Sequence, residues 1–278
     1  MLGKLIHHEF KTTSRLFLPM YICLGVITLL LKLSLTFSFG GDSIFASDSS
    51  TLLSIVNMLL IMVYVIVLIG IILLTYFIII RRFYTNMFSD EGYLMFTLPV
   101  TTGQLLNSKL IVAFIWQFLM IPATCLSFFL LFMNTEVLRE MPYLFSEIGK
   151  ELHILNISGF HISLLIAEMI LAVVVEMCSL ILMCYLSMTL GHHLLPEHRL
   201  LGSILAFLGI YTVESFITSV FSTFAGNIFF NQVEFYSIQD LLSYLNTAMP
   251  IGILLTLLLC VVYYLLTHYL LSKKLNLE

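Results

Sequence analysis

The chain has 278 residues, of which 60% are hydrophobic and only 10% charged, with a mean hydropathy of +1.06. Soluble domains hold roughly 45–50% apolar and about 25% charged residues, so lipid is the expected solvent and the packing problem is one of membrane spans. The formal charge of −4 carries no basic tract and no interleaving of basic and aromatic residues, which leaves nucleic-acid binding without a footprint.

In chain order, residues 1–15 place Leu2, Leu5, Ile6 and Phe10 on one helical face, with Lys4, Lys11 and Arg15 able to meet headgroups. That pattern predicts a surface-lying helix before the first span; a plain charged tail is the alternative. His7 and His8 are adjacent, point to different faces and cannot chelate together. The first apolar run is long and has no small-residue cleavage site, so no cleaved signal peptide is expected.

Six apolar runs, at about residues 16–37, 52–80, 105–133, 162–190, 200–225 and 250–271, each approach or exceed the roughly 20 residues of one crossing. Pro122 permits a kink in the third. The expected fold is therefore all-α, a single transmembrane domain over residues 1–278. Lysine and arginine set its orientation. With the N-terminus inside, Lys4, Lys11, Arg15, Arg81, Arg82, Lys109, Arg199, Lys273 and Lys274 are cytoplasmic, nine of the twelve basic residues, against Lys32, Arg139 and Lys150 outside. Both termini are then expected in the cytoplasm of a multi-pass plasma-membrane protein.

The segment from Arg81 to Val100, after the second run, is too apolar for a free loop. Phe88, Tyr93, Leu94, Met95, Phe96 and Leu98 need cover, Ser89, Asp90 and Glu91 supply capping chemistry, and Pro99 disfavours helix at Leu98. Thr101 and Gln104 have capping-box spacing at the start of the third span. A short helix lying across the span ends, with aromatic side chains turned to a cytoplasmic partner, fits these residues.

Within the spans, Glu168, Glu176 and Glu214 are the sharpest candidates, because an ionised carboxylate in lipid costs at least a few kcal/mol and is paired, protonated or facing water. Glu168 and Glu176 lie on one helix about 80° apart in projection and about 12 Å apart along its axis. Lys32, near the outer end of the first span, is a candidate ion-pair partner for Glu168, against a cargo or proton role for that carboxylate. Glu176 and Glu214 suit a translocation pathway or a subunit interface.

The histidines His192, His193 and His198 with Glu197 share a short turn but match no zinc spacing, and Cys23, Cys125, Cys178, Cys184 and Cys260 lie in apolar runs without C-x-x-C spacing. No metal site and no disulfide framework is expected. Asn156-Ile157-Ser158 is a formal glycosylation sequon with no weight here. Between the last two runs, residues 226–249 are too apolar for an aqueous loop and predict a re-entrant segment dipping into the outer leaflet.

The stretch Asp90-Glu91-Gly92-Tyr93-Leu94-Met95-Phe96-Thr97-Leu98-Pro99, followed by Leu105 to Lys109, resembles the membrane subunits of type-2 ATP-binding-cassette exporters, especially the short permeases of Gram-positive bacteria. The resemblance extends over nearly the whole chain through six spans, an amphipathic N-terminal helix and an apolar outer segment; the loop is its specific part. It implies a coupling helix, with Ser89, Asp90, Glu91, Gly92, Tyr93, Leu94, Phe96 and Pro99 meeting an ATPase. The implied partners are cytosolic ATPase subunits and a second permease subunit, identical or different. The implied cargo is amphiphilic: a peptide, an antimicrobial or a lipid-like molecule, so that resistance to antimicrobial peptides is one expected role. No G-x-x-x-x-G-K-[S/T] loop occurs, so ATP and magnesium would belong to the partner, with no cofactor in this chain. An ion-coupled secondary transporter using the span carboxylates is the alternative. A membrane enzyme lacks support, because H-E-x-x-H is absent and no histidine ligands follow the span glutamates.

Overall fold

A computed structural model describes residues 2–39, 49–88, 100–133, 135–154, 159–195, 197–230 and 238–273. Among them are seven helices: α1 (Leu2–Phe39), α2 (Ser49–Phe88), α3 (Thr102–Phe132), α4 (Thr135–Ile154), α5 (Gly159–Leu194), α6 (Arg199–Phe230) and α7 (Ile238–Lys273). All except α4 are long and apolar enough to cross a bilayer, which makes the chain a polytopic membrane protein with six candidate spans.

The apolar surface supports the same conclusion. Leu73, Leu74 and Phe77 on α2 and Leu205, Leu208 and Phe216 on α6 are exposed large hydrophobics, a pattern that water would penalise and lipid accommodates. Buried positions instead collect small hydroxyl residues. Thr28, Thr75 and Thr267 are each at most 1% exposed and bond to a carbonyl one turn back on their own helix, which satisfies a polar group without a distant partner.

The chain divides into two compact units. The first comprises residues 1–79 and 115–143, so it holds α1, most of α2, the second part of α3 and the start of α4. Its centre is formed by Leu24 and Leu31 of α1, Tyr64 and Ile71 of α2, and Leu131 of α3. A hydrogen-bonded run of hydroxyls ties the same three helices: Thr28 Oγ1 lies 2.7 Å from Ser127 Oγ, which lies 2.8 Å from the Tyr64 hydroxyl.

The N-terminal segment departs from expectation. Residues 2–39 form one uninterrupted helix, with no break near residue 15 that would let a surface helix turn away from the first span. The reason lies in packing. Trp116 of α3 is stacked between Phe10 (centroids 4.8 Å apart) and Phe17 (4.6 Å), and its indole N–H donates to Thr13 Oγ1 at 2.8 Å. Phe10, Thr13 and Phe17 lie three and four residues apart, so one helical face presents all three. Glu9 and Thr13 are buried with them.

The second unit comprises residues 80–114 and 144–278. Helix α5 is its axis, packing on both α6 and α7. Its core joins Val175, Leu182, Met183 and Leu186 of α5 to Ile253, Leu259, Cys260 and Tyr263 of α7. Residues 197 and 198 form a turn before α6, and near this end the two helices touch through glycine. A Cβ on Gly191 would lie 2.2 Å from the Ser203 backbone nitrogen, and one on Gly202 would lie 2.7 Å from the Gly191 carbonyl oxygen. Only hydrogen fits at such an approach.

Residues 135–154, between the third and fourth apolar runs, form α4. In the region where a re-entrant segment was expected, α6 continues through Phe230 and α7 begins at Ile238; residues 231–237 lie outside the described residues.

Candidate functional site

Two features of the second unit bear on function: a carboxylate pair where α5, α6 and α7 meet, and the anchored stems of the loop that carries the exporter-like motif.

Helix α5 presents Glu176 and α6 presents Glu214, and the two carboxylates lie within electrostatic reach of one another. Tyr263 of α7 is hydrogen-bonded to Glu214 and also feels the charge of Glu176. One turn earlier on α7, Cys260 closes the set beside Ser179 and the Val175 carbonyl of α5. Glu176 is exposed and Glu214 half-buried, while Tyr263 is 5% exposed. Glu176 leaves this cluster open to its surroundings on one side.

Glu168 lies two turns nearer the start of α5. It is half-buried, and its Oε2 atom is buried without a hydrogen-bond partner among the described residues. Lys32 has a definite place in the first unit: its ammonium donates to the Leu131 carbonyl at 3.2 Å and the Met133 carbonyl at 2.8 Å. These carbonyls belong to the last turn of α3 and the residue following it, where a cation complements the helix dipole.

Of the residues expected to contact an ATPase, Ser89, Asp90, Glu91, Gly92, Tyr93, Leu94, Phe96 and Pro99 all lie outside the described residues. The segments on either side of them are described, and both are anchored to α5. On the α2 side, Phe83 stacks on Tyr185 with centroids 3.9 Å apart, and Phe88 stacks on His192 at 4.7 Å. Phe83, Met87 and Phe88 are buried, as is Asn86 between them. On the α3 side, Thr101 caps the helix by accepting the Gln104 N–H at Oγ1 over 3.3 Å, as the capping-box spacing predicts. Leu105 and Leu106 are buried, and the Tyr185 hydroxyl donates to the Lys109 carbonyl at 3.4 Å. Tyr185 therefore touches both stems. A Cβ on Gly103 would meet the His268 ring at 3.3 Å, so the first turn of α3 also rests on α7.

Tyr263 and Tyr185 are the residues sequence reading missed. A signal existed for Tyr263, which sits amid a long apolar helix instead of at an interfacial belt, where tyrosine is usually found. Tyr185 sits among buried neighbours, and nothing local distinguishes it from packing.

Among the described residues no group of three or more histidine, cysteine, aspartate or glutamate side chains is arranged to hold a metal ion. The His192 ring stacks on Phe88. No protein-family model, curated protein or solved structure matches the chain.

Proposed function

We propose that this chain is the membrane subunit of an exporter powered by a separate ATPase, with residues 89–99 as the contact through which the ATPase acts. The carrying observation is that both stems of that loop are anchored on α5 through Tyr185, and α5 also bears Glu176. A push on the loop would thus reach the junction of α5, α6 and α7 through stacked rings and buried side chains, without passing through a flexible connection. ATPases approaching one another beneath the membrane would move the loop, and the spans would rock between inward-open and outward-open packing. The loop motif Asp90 to Pro99 and the preponderance of basic residues on its side of the membrane support the same reading, with both termini in the cytoplasm. An amphiphilic cargo suits a pathway bordered by apolar helices with a few carboxylates.

The test is purification of the detergent-solubilised chain from its native host, identification of proteins present in stoichiometric amount, and measurement of ATP hydrolysis by the complex. Charge reversal at Asp90 and Glu91, or Tyr93→Ala, is expected to abolish stimulation of the ATPase while the permease remains inserted and folded. Unchanged stimulation in those variants would remove the loop assignment.

A second reading rests on the carboxylate pair itself. Glu176, Glu214 and Tyr263 also form the kind of site that couples transport to a proton or cation. Transport that persists in ATP-free proteoliposomes under an ion gradient, and is lost in Glu214→Gln, would favour an ion-coupled carrier.

A further inference from the structure

Helix α4 is the only helix among the described residues that is not a candidate span. Its sequence is two-sided. At about 100° per residue, Val137, Met141 and Leu144 fall within an arc of about 60°, and the spacing continues in the sequence at Ile148 and Leu152. Arg139, Glu140, Glu147 and Lys150 lie off that arc and are exposed. The apolar arc is also open: Leu144 is 52% exposed and Val137 is 38% exposed.

The position of α4 in the chain decides what covers this face. Only Met133 and Asn134 separate it from α3, so its first residue lies no more than about 11 Å from the end of that span. The end of α3 is itself an apolar outer surface, with Phe129 53% and Phe132 67% exposed. From these observations we infer that α4 lies in the headgroup layer of the bilayer, on the face opposite the N-terminus. Val137, Met141 and Leu144 dip into the acyl chains, and Arg139, Glu147 and Lys150 remain in water. Binding draws on apolar area and not on attraction to anionic lipid, because the helix contains four glutamates against one arginine and one lysine.

The full chain reconstituted in phosphatidylcholine vesicles provides the test. Val137→Trp and Leu144→Trp place an indole on the apolar arc, and Ser146→Trp and Lys150→Trp place one off it. All four positions are at the surface, so the substitutions do not disturb a core. Fluorescence of the added indole is read above that of the parent chain. Dibrominated acyl chains are expected to quench the first pair at least about twofold more than the second, with aqueous iodide showing the reverse order, as for side chains about 5–10 Å into the interface. Adding phosphatidylglycerol should leave the pattern unchanged. Equal iodide quenching of both pairs would place the arc in water, and protection of the first pair from both quenchers would mean that protein covers it; either result overturns the inference. So would quenching that appears only with anionic lipid.

Discussion

The glycine approach between α5 and α6 permits a sharp test, because its consequence is steric and does not depend on the solvent. In Gly191→Ala the new methyl would lie 2.2 Å from the Ser203 nitrogen and 2.4 Å from its Cα. That is about 1.2 Å inside ordinary contact at about 3.4 Å, and both opposing atoms are backbone, so no rotamer change relieves the overlap. The helices must part, and a gap of about 1 Å already forfeits up to half of each dispersion contact along the seam. The expected cost is about 3 kcal/mol, at the upper end of overpacking penalties. For a chain of this size it corresponds to a fall of roughly 6–12 °C in melting temperature. The assay is thermal unfolding of the purified protein in detergent, followed by size-exclusion chromatography of the surviving monodisperse fraction. Gly209→Ala, on α6 with open space for at least 4 Å around the point a Cβ would occupy, is the internal control and should melt within about 1 °C of the parent. If Gly191→Ala and Gly209→Ala melt together, the close approach of α5 and α6 is wrong.

Two further outcomes follow from the contacts. Glu176→Gln and Glu214→Gln are expected to alter transport by more than they reduce the amount of folded protein, and Tyr263→Phe to resemble Glu214→Gln because it removes the donor to that carboxylate; loss of folded protein at unchanged specific transport would make the set structural, and both quantities come from one reconstitution. Trp116→Phe keeps the stacking with Phe10 and Phe17 but removes the 2.8 Å bond to Thr13, at an expected cost of about 0.6–1.7 kcal/mol. Combined with Thr13→Ala it should cost little more than either change alone, as a double-mutant cycle in thermal unfolding would reveal.

The six long helices were legible because apolar run length is a local property, and Thr101 announced its own cap. What the sequence concealed depended on distant partners. Residues 2–15 read as a surface helix because Lys4, Lys11 and Arg15 suit headgroups, yet the opposite face carries Phe10, Thr13 and Phe17, whose partner Trp116 is about a hundred residues away. Helix α4 lies in the charged interval between the third and fourth apolar runs, where run length gives no signal. Glu176 and Glu214 stood out singly by their cost in lipid. That they feel one another's charge, and that Tyr263 lies beside Glu214, depends on how α5, α6 and α7 pack. For Lys32 the sequence offered Glu168 as a candidate ion-pair partner; the bonds it makes to the Leu131 and Met133 carbonyls could not be read there, because every residue carries a carbonyl and no motif marks one.

The joints between α1 and α3 have a consequence for motion. Thr13 holds the Trp116 indole, Thr28 meets Ser127, and Lys32 reaches the carbonyls of Leu131 and Met133. Along α1 these points span about 28 Å, nearly the thickness of the hydrocarbon layer. Sliding α1 past α3 by one turn would vacate all three at once, taking from the Trp116 indole N–H its Thr13 acceptor and from Lys32 the two carbonyls it holds. The two helices are therefore keyed in register like a spline in its slot, and any rearrangement of the first unit during a working cycle must carry them together.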